Sequence, residues 1–242
     1  MIEIALQKFA LMGASWVLYL LLAMSIFSIG IICERAMYFR SHSDDVDALG
    51  DALLRALKAG DRRAGETLLR ASRSIEAAIL LPALAWIDGG PESVSEALEG
   101  STIKKRGELE RGLTSLGTLG NNAPFVGLFG TVIGVIQAFH MLGSAGGGGN
   151  QAAMGNVIVA ISDALIATGV GLIVALPAVV GYNLAQKKVS QIENNVSVIS
   201  KNILALLKAD AKLINEFAAL AETAPERAEA GEFAGAEQPE LS

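Results

Sequence analysis

The chain has 242 residues, a net charge of −6, 52% hydrophobic residues and only 5% aromatic ones, with a mean hydropathy of +0.45. No basic face is present, which argues against a nucleic-acid binder. One cysteine and two histidines exclude a disulfide framework and an ordinary His/Cys metal site. The acidity is local, because residues 222–242 carry six Glu and one Arg and the remainder is near neutral.

From Phe9 to Cys33 there is no Lys, Arg, Asp or Glu. A helix needs about 20 apolar residues to cross a bilayer, so this run predicts a first span over 11–33, ended by Glu34-Arg35. It is too long for the apolar core of a secretory signal, and no small-residue cleavage site follows it. Ile31-Ile32 before Cys33 is a poor lipidation signal. Residues 34–111 predict a helical insertion, since they are too many for a plain loop. Asp44 opens a helix with Val46, Leu49, Leu53, Leu54 and Leu57 on one side and Gly60 at its close. Asp61 caps the next helix, around Leu68 and Leu69. A third runs from Ser74 to Ile87 and stops at Gly89-Gly90. Pro91 suits a first helical position, with Glu92 in the first turn, and that helix is expected to run unbroken into the membrane.

Between Gly112 and Ser162 there is again no charged residue, and after Asp163 another uncharged run extends from Ala164 to Gln186. These predict a second span within 112–142, an outward Gly-rich turn over 143–156, and a third span over 157–186. The last helix continues through 187–220 with Val189, Ile192, Val196, Ile199, Ile203 and Leu207 at helical spacing. Residues 221–242 have the Glu/Ala/Gly/Pro composition of a disordered tail. Arg35, Arg40, Lys104, Lys105, Arg106, Arg111, Lys187 and Lys188 gather at one set of span ends, which marks that side as cytoplasmic. The predicted fold is all-α: a polytopic membrane protein with three transmembrane helices and long cytoplasmic helical extensions. Its N-terminus is expected outside and its C-terminus inside.

Polar residues within spans carry the functional signal, because each is costly in lipid. In the second span Gly127, Gly130 and Gly134 leave one helix face almost bare backbone, which suits tight helix packing. Thr131 adjoins that face, and its hydroxyl has the option of bonding back to a carbonyl one turn earlier. Pro124 bends the helix or marks its entry. In the third span Ala164, Ala167, Thr168, Gly171, Ala175 and Ala178 form a smooth, weakly polar stripe. Asp163 lies about 140° around the helix from Thr168 and about 7.5 Å along it. Two readings of Asp163 stand: an interfacial acid near the outer helix end, favoured by the helix dipole, or a group facing a water-filled ion path. His140 reads as interfacial.

The motif Gly127-Leu128-Phe129-Gly130-Thr131-Val132-Ile133-Gly134 resembles the second-span signature of the MotA/TolQ/ExbB proton-channel family. Asp163-Ala164-Leu165-Ile166-Ala167-Thr168, with Ala175-Leu176-Pro177-Ala178 and Tyr182-Asn183, resembles its third-span signature. Span count, the insertion after span one and the Glu34-Arg35 pair are similar to the three-span TolQ/ExbB branch, which carries Glu where this chain has Asp163.

The resemblance implies a homopentameric ring in the bacterial inner membrane around a pore. Two copies of a single-span partner of the ExbD/TolR/MotB type occupy that pore, each with a membrane Asp that takes up and releases protons. Thr131, Thr168 and Asp163 would serve the ion pathway, and Gly127, Gly130, Gly134, Gly171 and Pro177 the pore and helix packing. The implied function is a motor or stator that couples ion flow to rotation or force, for envelope transport, envelope integrity or motility. No cofactor and no covalent catalysis are implied. The competing reading is a non-conducting membrane scaffold. An intramembrane aspartyl protease needs two carboxylates sharing a proton, and Asp163 has no mate.

Overall fold

Caps and periodicity explain where the helices begin and end. The computed structural model describes residues 15–144 and 151–232, and every regular element among them is helical. They are α1 (Ser15–Ser41), α2 (Val46–Lys58), α3 (Arg62–Ala71), α4 (Ile75–Leu84), α5 (Gly90–Leu109), α6 (Leu113–Ser144) and α7 (Gln151–Glu232), with a 3₁₀ turn at Ile87–Gly89. Three are long and apolar enough to cross a membrane. Asp45, Asp61 and Ser74 each accept a hydrogen bond from a backbone N–H three residues on, which opens α2, α3 and α4.

The chain divides into two compact units, one formed by residues 1–42 and 106–191 and the other by 43–105 and 192–242. In the first, α1 packs on α6 and the early part of α7. Val17 and Leu21 are fully buried in a cluster with Ala123, Ile133, Val174 and Ala175. A second cluster joins Ile31, Leu116 and Ala178. The outward surface of these helices is strongly apolar, with Ile173 69% and Leu176 66% exposed. A soluble monomer would not leave so large a contiguous area to water.

The second unit buries Leu53, Leu69, Ile75, Ile79, Leu80 and Leu84. Helix α7 supplies one wall. A side-chain carbon at Gly50 would lie 3.1 Å from Ile199, and Asn195 donates to the buried Glu76 carboxylate at 2.9 Å. Leu53 is fully enclosed, so Leu53→Ala is expected to cost about 2–5 kcal/mol, read as earlier thermal unfolding and faster proteolysis of this unit.

Several boundaries differ from the sequence reading. Asp45, not Asp44, caps α2. Asp44 instead accepts from the Ser72 hydroxyl at 2.8 Å, and that bond holds its carboxyl below the usual range. Helix α1 runs on beyond the expected span end at Glu34-Arg35, to Ser41. The helix from Gly90 does not run unbroken into α6. It ends at Leu109, and Gly112 turns the chain with φ of 78°, a conformation glycine adopts without a Cβ penalty. Helix α7 begins at Gln151, inside the segment assigned to the outward turn, whose remaining residues 145–150 lie outside the described set. It also continues past Ala221 to Glu232, where a disordered tail was expected. The Ala and Glu that dominate that stretch are good helix formers. Residues 1–14 and 233–242 are likewise outside the described set.

Candidate functional site

The glycines of α6 decide the site's geometry, because they let α7 lie against bare backbone. A carbon added at Gly127 would sit 2.9 Å from the Ala167 carbonyl oxygen and 3.1 Å from the Thr168 Cα. At Gly134 it would meet the Ala164 Cβ at 2.5 Å, and at Gly171 the Ala123 oxygen at 2.8 Å. At Gly130 it would meet Ala167 of α7 and, at 3.2 Å, Val17 of α1. All four glycines are therefore used for packing within the chain: α7 fills the face freed on α6, with Val17 of α1 beside Gly130, and α6 fills the face at Gly171. Pro177 lies on the exposed side of α7 and takes no part in the seam. Lacking an N–H, it leaves the Ile173 carbonyl without its usual helical donor.

At one edge of this seam sit the two hydroxyls. Thr168 donates across the helices to the Gly127 carbonyl at 3.1 Å. Thr131, one turn beyond Gly127, bonds back to Leu128 O at 2.7 Å, the local alternative that its residue type allowed. Both are half-buried. Around α6, Thr131 lies about 40° to one side of Gly127 and Gly130 about 60° to the other. Val17 of α1 occupies the Gly130 side. Around α7, Thr168 and Gly181 lie about 140° apart. Ile32 of α1 approaches Gly181, where an added carbon would be 2.7 Å away. The two hydroxyls thus share the flank of the α6–α7 pair that faces away from α1. A hydroxyl that donates keeps acceptor lone pairs, so each remains able to receive a proton donor from outside the chain.

Asp163 is exposed and accepts no hydrogen bond from the described residues. It sits one residue before Ala164, which packs on Gly134 and is 1% exposed. Asp163 is thus placed beside the seam, toward the N-terminal end of α7, and not directly at the hydroxyl pair. No group of three or more possible metal ligands occurs among the described residues.

Two positioning features escape a reading by residue type. Gly120 packs on Val179, which an added carbon would meet at 2.7 Å. It stands seven residues before Gly127, so the helical spacing of the glycine face contained the signal. Arg35 is 6% exposed and donates to the Glu108 carbonyl at 3.1 Å, in the last turn of α5. No local pattern reveals a contact across 73 residues.

Comparison with known proteins places this seam inside a matched region. A family model described as "MotA/TolQ/ExbB proton channel family" matches residues 71–197. Helicobacter pylori ExbB-like 2 protein is 48% identical over 80 residues, which cover 33% of this chain and 51% of that protein. Tol-Pal system protein TolQ of Pseudomonas aeruginosa is 40% identical over 96 residues, 40% of each chain. Biopolymer transport protein ExbB of Xanthomonas campestris is 40% identical over 110 residues, 46% of this chain and 40% of that one. The chain spans about half or less of the length of these curated relatives.

Proposed function

The chain belongs to the MotA/TolQ/ExbB proton channel family, whose model covers just over half of it, and from that premise we propose that it is the ring-forming subunit of a proton-driven motor in the bacterial inner membrane. Five copies surround a pore that holds two single-span partner helices of the ExbD/TolR type. The N-terminus faces the periplasm and the C-terminus the cytoplasm. Proton flow past the partner's membrane carboxylate turns or pulls that partner and so delivers work to the envelope.

The observation that carries this reading is the shared flank of Thr131 and Thr168. Two hydroxyls, about one turn apart in height, lie on the side of α6 and α7 that α1 leaves uncovered. Facing lipid they would serve only their bonds within the chain. Against a partner's carboxylate they supply hydrogen-bonding stations without a fixed charge that would trap the ion. One charge crossing the membrane releases about 2.3 kcal/mol per 100 mV, enough to bias a two-state element by more than tenfold.

Native mass spectrometry of the complex purified with its single-span partner tests the assembly, and a ratio other than five to two would refute it. Asp163 offers a separate test. Since it bonds to nothing described, Asp163→Asn is expected to leave thermal stability within about 0.5 kcal/mol. Proton entry into dye-loaded proteoliposomes should nevertheless fall. Unchanged flux would return Asp163 to the role of an interfacial acid.

A further inference from the structure

We propose that the inner end of the membrane unit holds an anionic phospholipid, with one acyl chain in a cavity between α1, α6 and α7 and its phosphate beside Arg35. The cavity has a volume of about 170 Å³ and is lined by Ile32, Arg35, Ala36, Leu116, Gly181 and Ala185, among others. Its walls are apolar except for one group. Glycine and two alanines create the space, since larger side chains at these positions would fill it.

Arg35 is the unusual wall. It is 6% exposed, and its guanidinium is fixed by the Glu108 carbonyl at 3.1 Å, by Glu34 at 2.9 Å and by the Tyr38 ring at 5.4 Å. Its Nε–H is buried and has no acceptor. A buried donor without a partner is costly, and a phosphate oxygen is a strong acceptor for guanidinium. Arg40, Arg111 and Lys187 are exposed on the same unit, each within six residues in sequence of a residue lining the cavity, and add to the attraction for an anionic headgroup.

Depth agrees with this occupant. Gly181 lies 18 residues after Asp163 on α7, about 27 Å along the helix. With Asp163 near the outer boundary, that reaches the opposite headgroup level of a hydrocarbon core about 30 Å thick. An acyl chain then enters an apolar notch just where phosphate meets the basic residues. The inference rests on the membrane placement proposed above, but not on proton conduction.

The test uses the full chain in detergent, with phosphatidylglycerol or phosphatidylcholine added and melting temperature and lipid retention (by native mass spectrometry) recorded. Phosphatidylglycerol is expected to raise the melting temperature and remain bound, while phosphatidylcholine does neither. Ala36→Leu fills the cavity from an exposed position and should abolish the phosphatidylglycerol gain without changing the melting temperature in phosphatidylcholine. Arg35→Gln should weaken retention by roughly tenfold, as expected for loss of one charged hydrogen bond. Equal stabilisation by both lipids would overturn the proposal. So would an Ala36→Leu protein that keeps the gain, or one whose oligomer mass changes regardless of lipid, since a neighbouring copy would then fill the cavity. No proton flux enters these readings, so a failed conduction test leaves their outcome independent.

Discussion

Thr168→Val should leave a folded, membrane-inserted chain that no longer performs ion-driven work. Valine has nearly the shape of threonine, and position 168 is half-buried beside the bare backbone of Gly127. The substitution removes the bond from Thr168 to the Gly127 carbonyl at 3.1 Å. Interhelical bonds of this kind contribute on average about 0.6 kcal/mol in membranes, so the fold should survive with a small drop in melting temperature. Function depends on a different quantity. A hydroxyl that steadies a proton or a charged partner contributes about 1.5–3 kcal/mol, which corresponds to roughly ten- to a hundredfold in rate. Proton flux through the reconstituted complex is therefore expected to fall by that factor, whereas Thr168→Ser should retain most of it. Thr131→Val should reduce flux less. Both hydroxyls donate to a carbonyl, but the Thr131 bond to Leu128 is local and shorter, 2.7 Å against 3.1 Å for Thr168, so its O–H is released to a partner less readily. If Thr168→Val conducts normally, Thr168 is only a packing residue and the proposed path is wrong.

The difference between these two threonines shows what a sequence discloses. Their positions in uncharged runs and their neighbouring glycines were legible, because charge distribution and helical spacing are local properties. So were the three long apolar helices, the cap at Asp61 and a helix start at Ser74. Their bonding was not legible. Thr168 reaches a carbonyl 41 residues away, and no periodicity reports which of two antiparallel helices offers the acceptor. The glycine face is a similar case. Spacing identified a smooth surface but not its occupant, and the chain's own α7 takes it. The break between α5 and α6 was missed for a different reason. Gly112 sits at the start of a long uncharged run, so it read as part of a span, although a glycine just past a helix end is a common left-handed stop. Arg35 closes that same corner by donating to Glu108 O. A residue read as the boundary of the first span and as a side-marking charge thus also holds the junction leading to the second.

The seam itself yields an expected effect on stability and conduction together, and it separates two kinds of close approach. At Gly134 an added methyl would overlap the Ala164 Cβ at 2.5 Å, with the Ala160 oxygen at 3.1 Å. Gly134→Ala should force the helices apart and cost about 1–3 kcal/mol, the usual range for overpacking. Much of that strain comes from one removable carbon. The pair Gly134→Ala with Ala164→Gly should therefore recover part of the loss, and the two changes should be non-additive in a double-mutant cycle. Gly127→Ala is different, because its new carbon would meet the Ala167 oxygen and the Cα atoms of Thr168 and Gly171. Those are backbone atoms, and no side-chain deletion can clear them. This variant should fall at least as far in melting temperature and resist rescue. It should also break the bond from Thr168, because the accepting carbonyl belongs to the same displaced residue. Loss of conduction should accompany loss of stability at Gly127. At Gly134 the compensated pair should conduct again. Rescue at both positions, or at neither, would mean that the helices separate more freely than this seam allows.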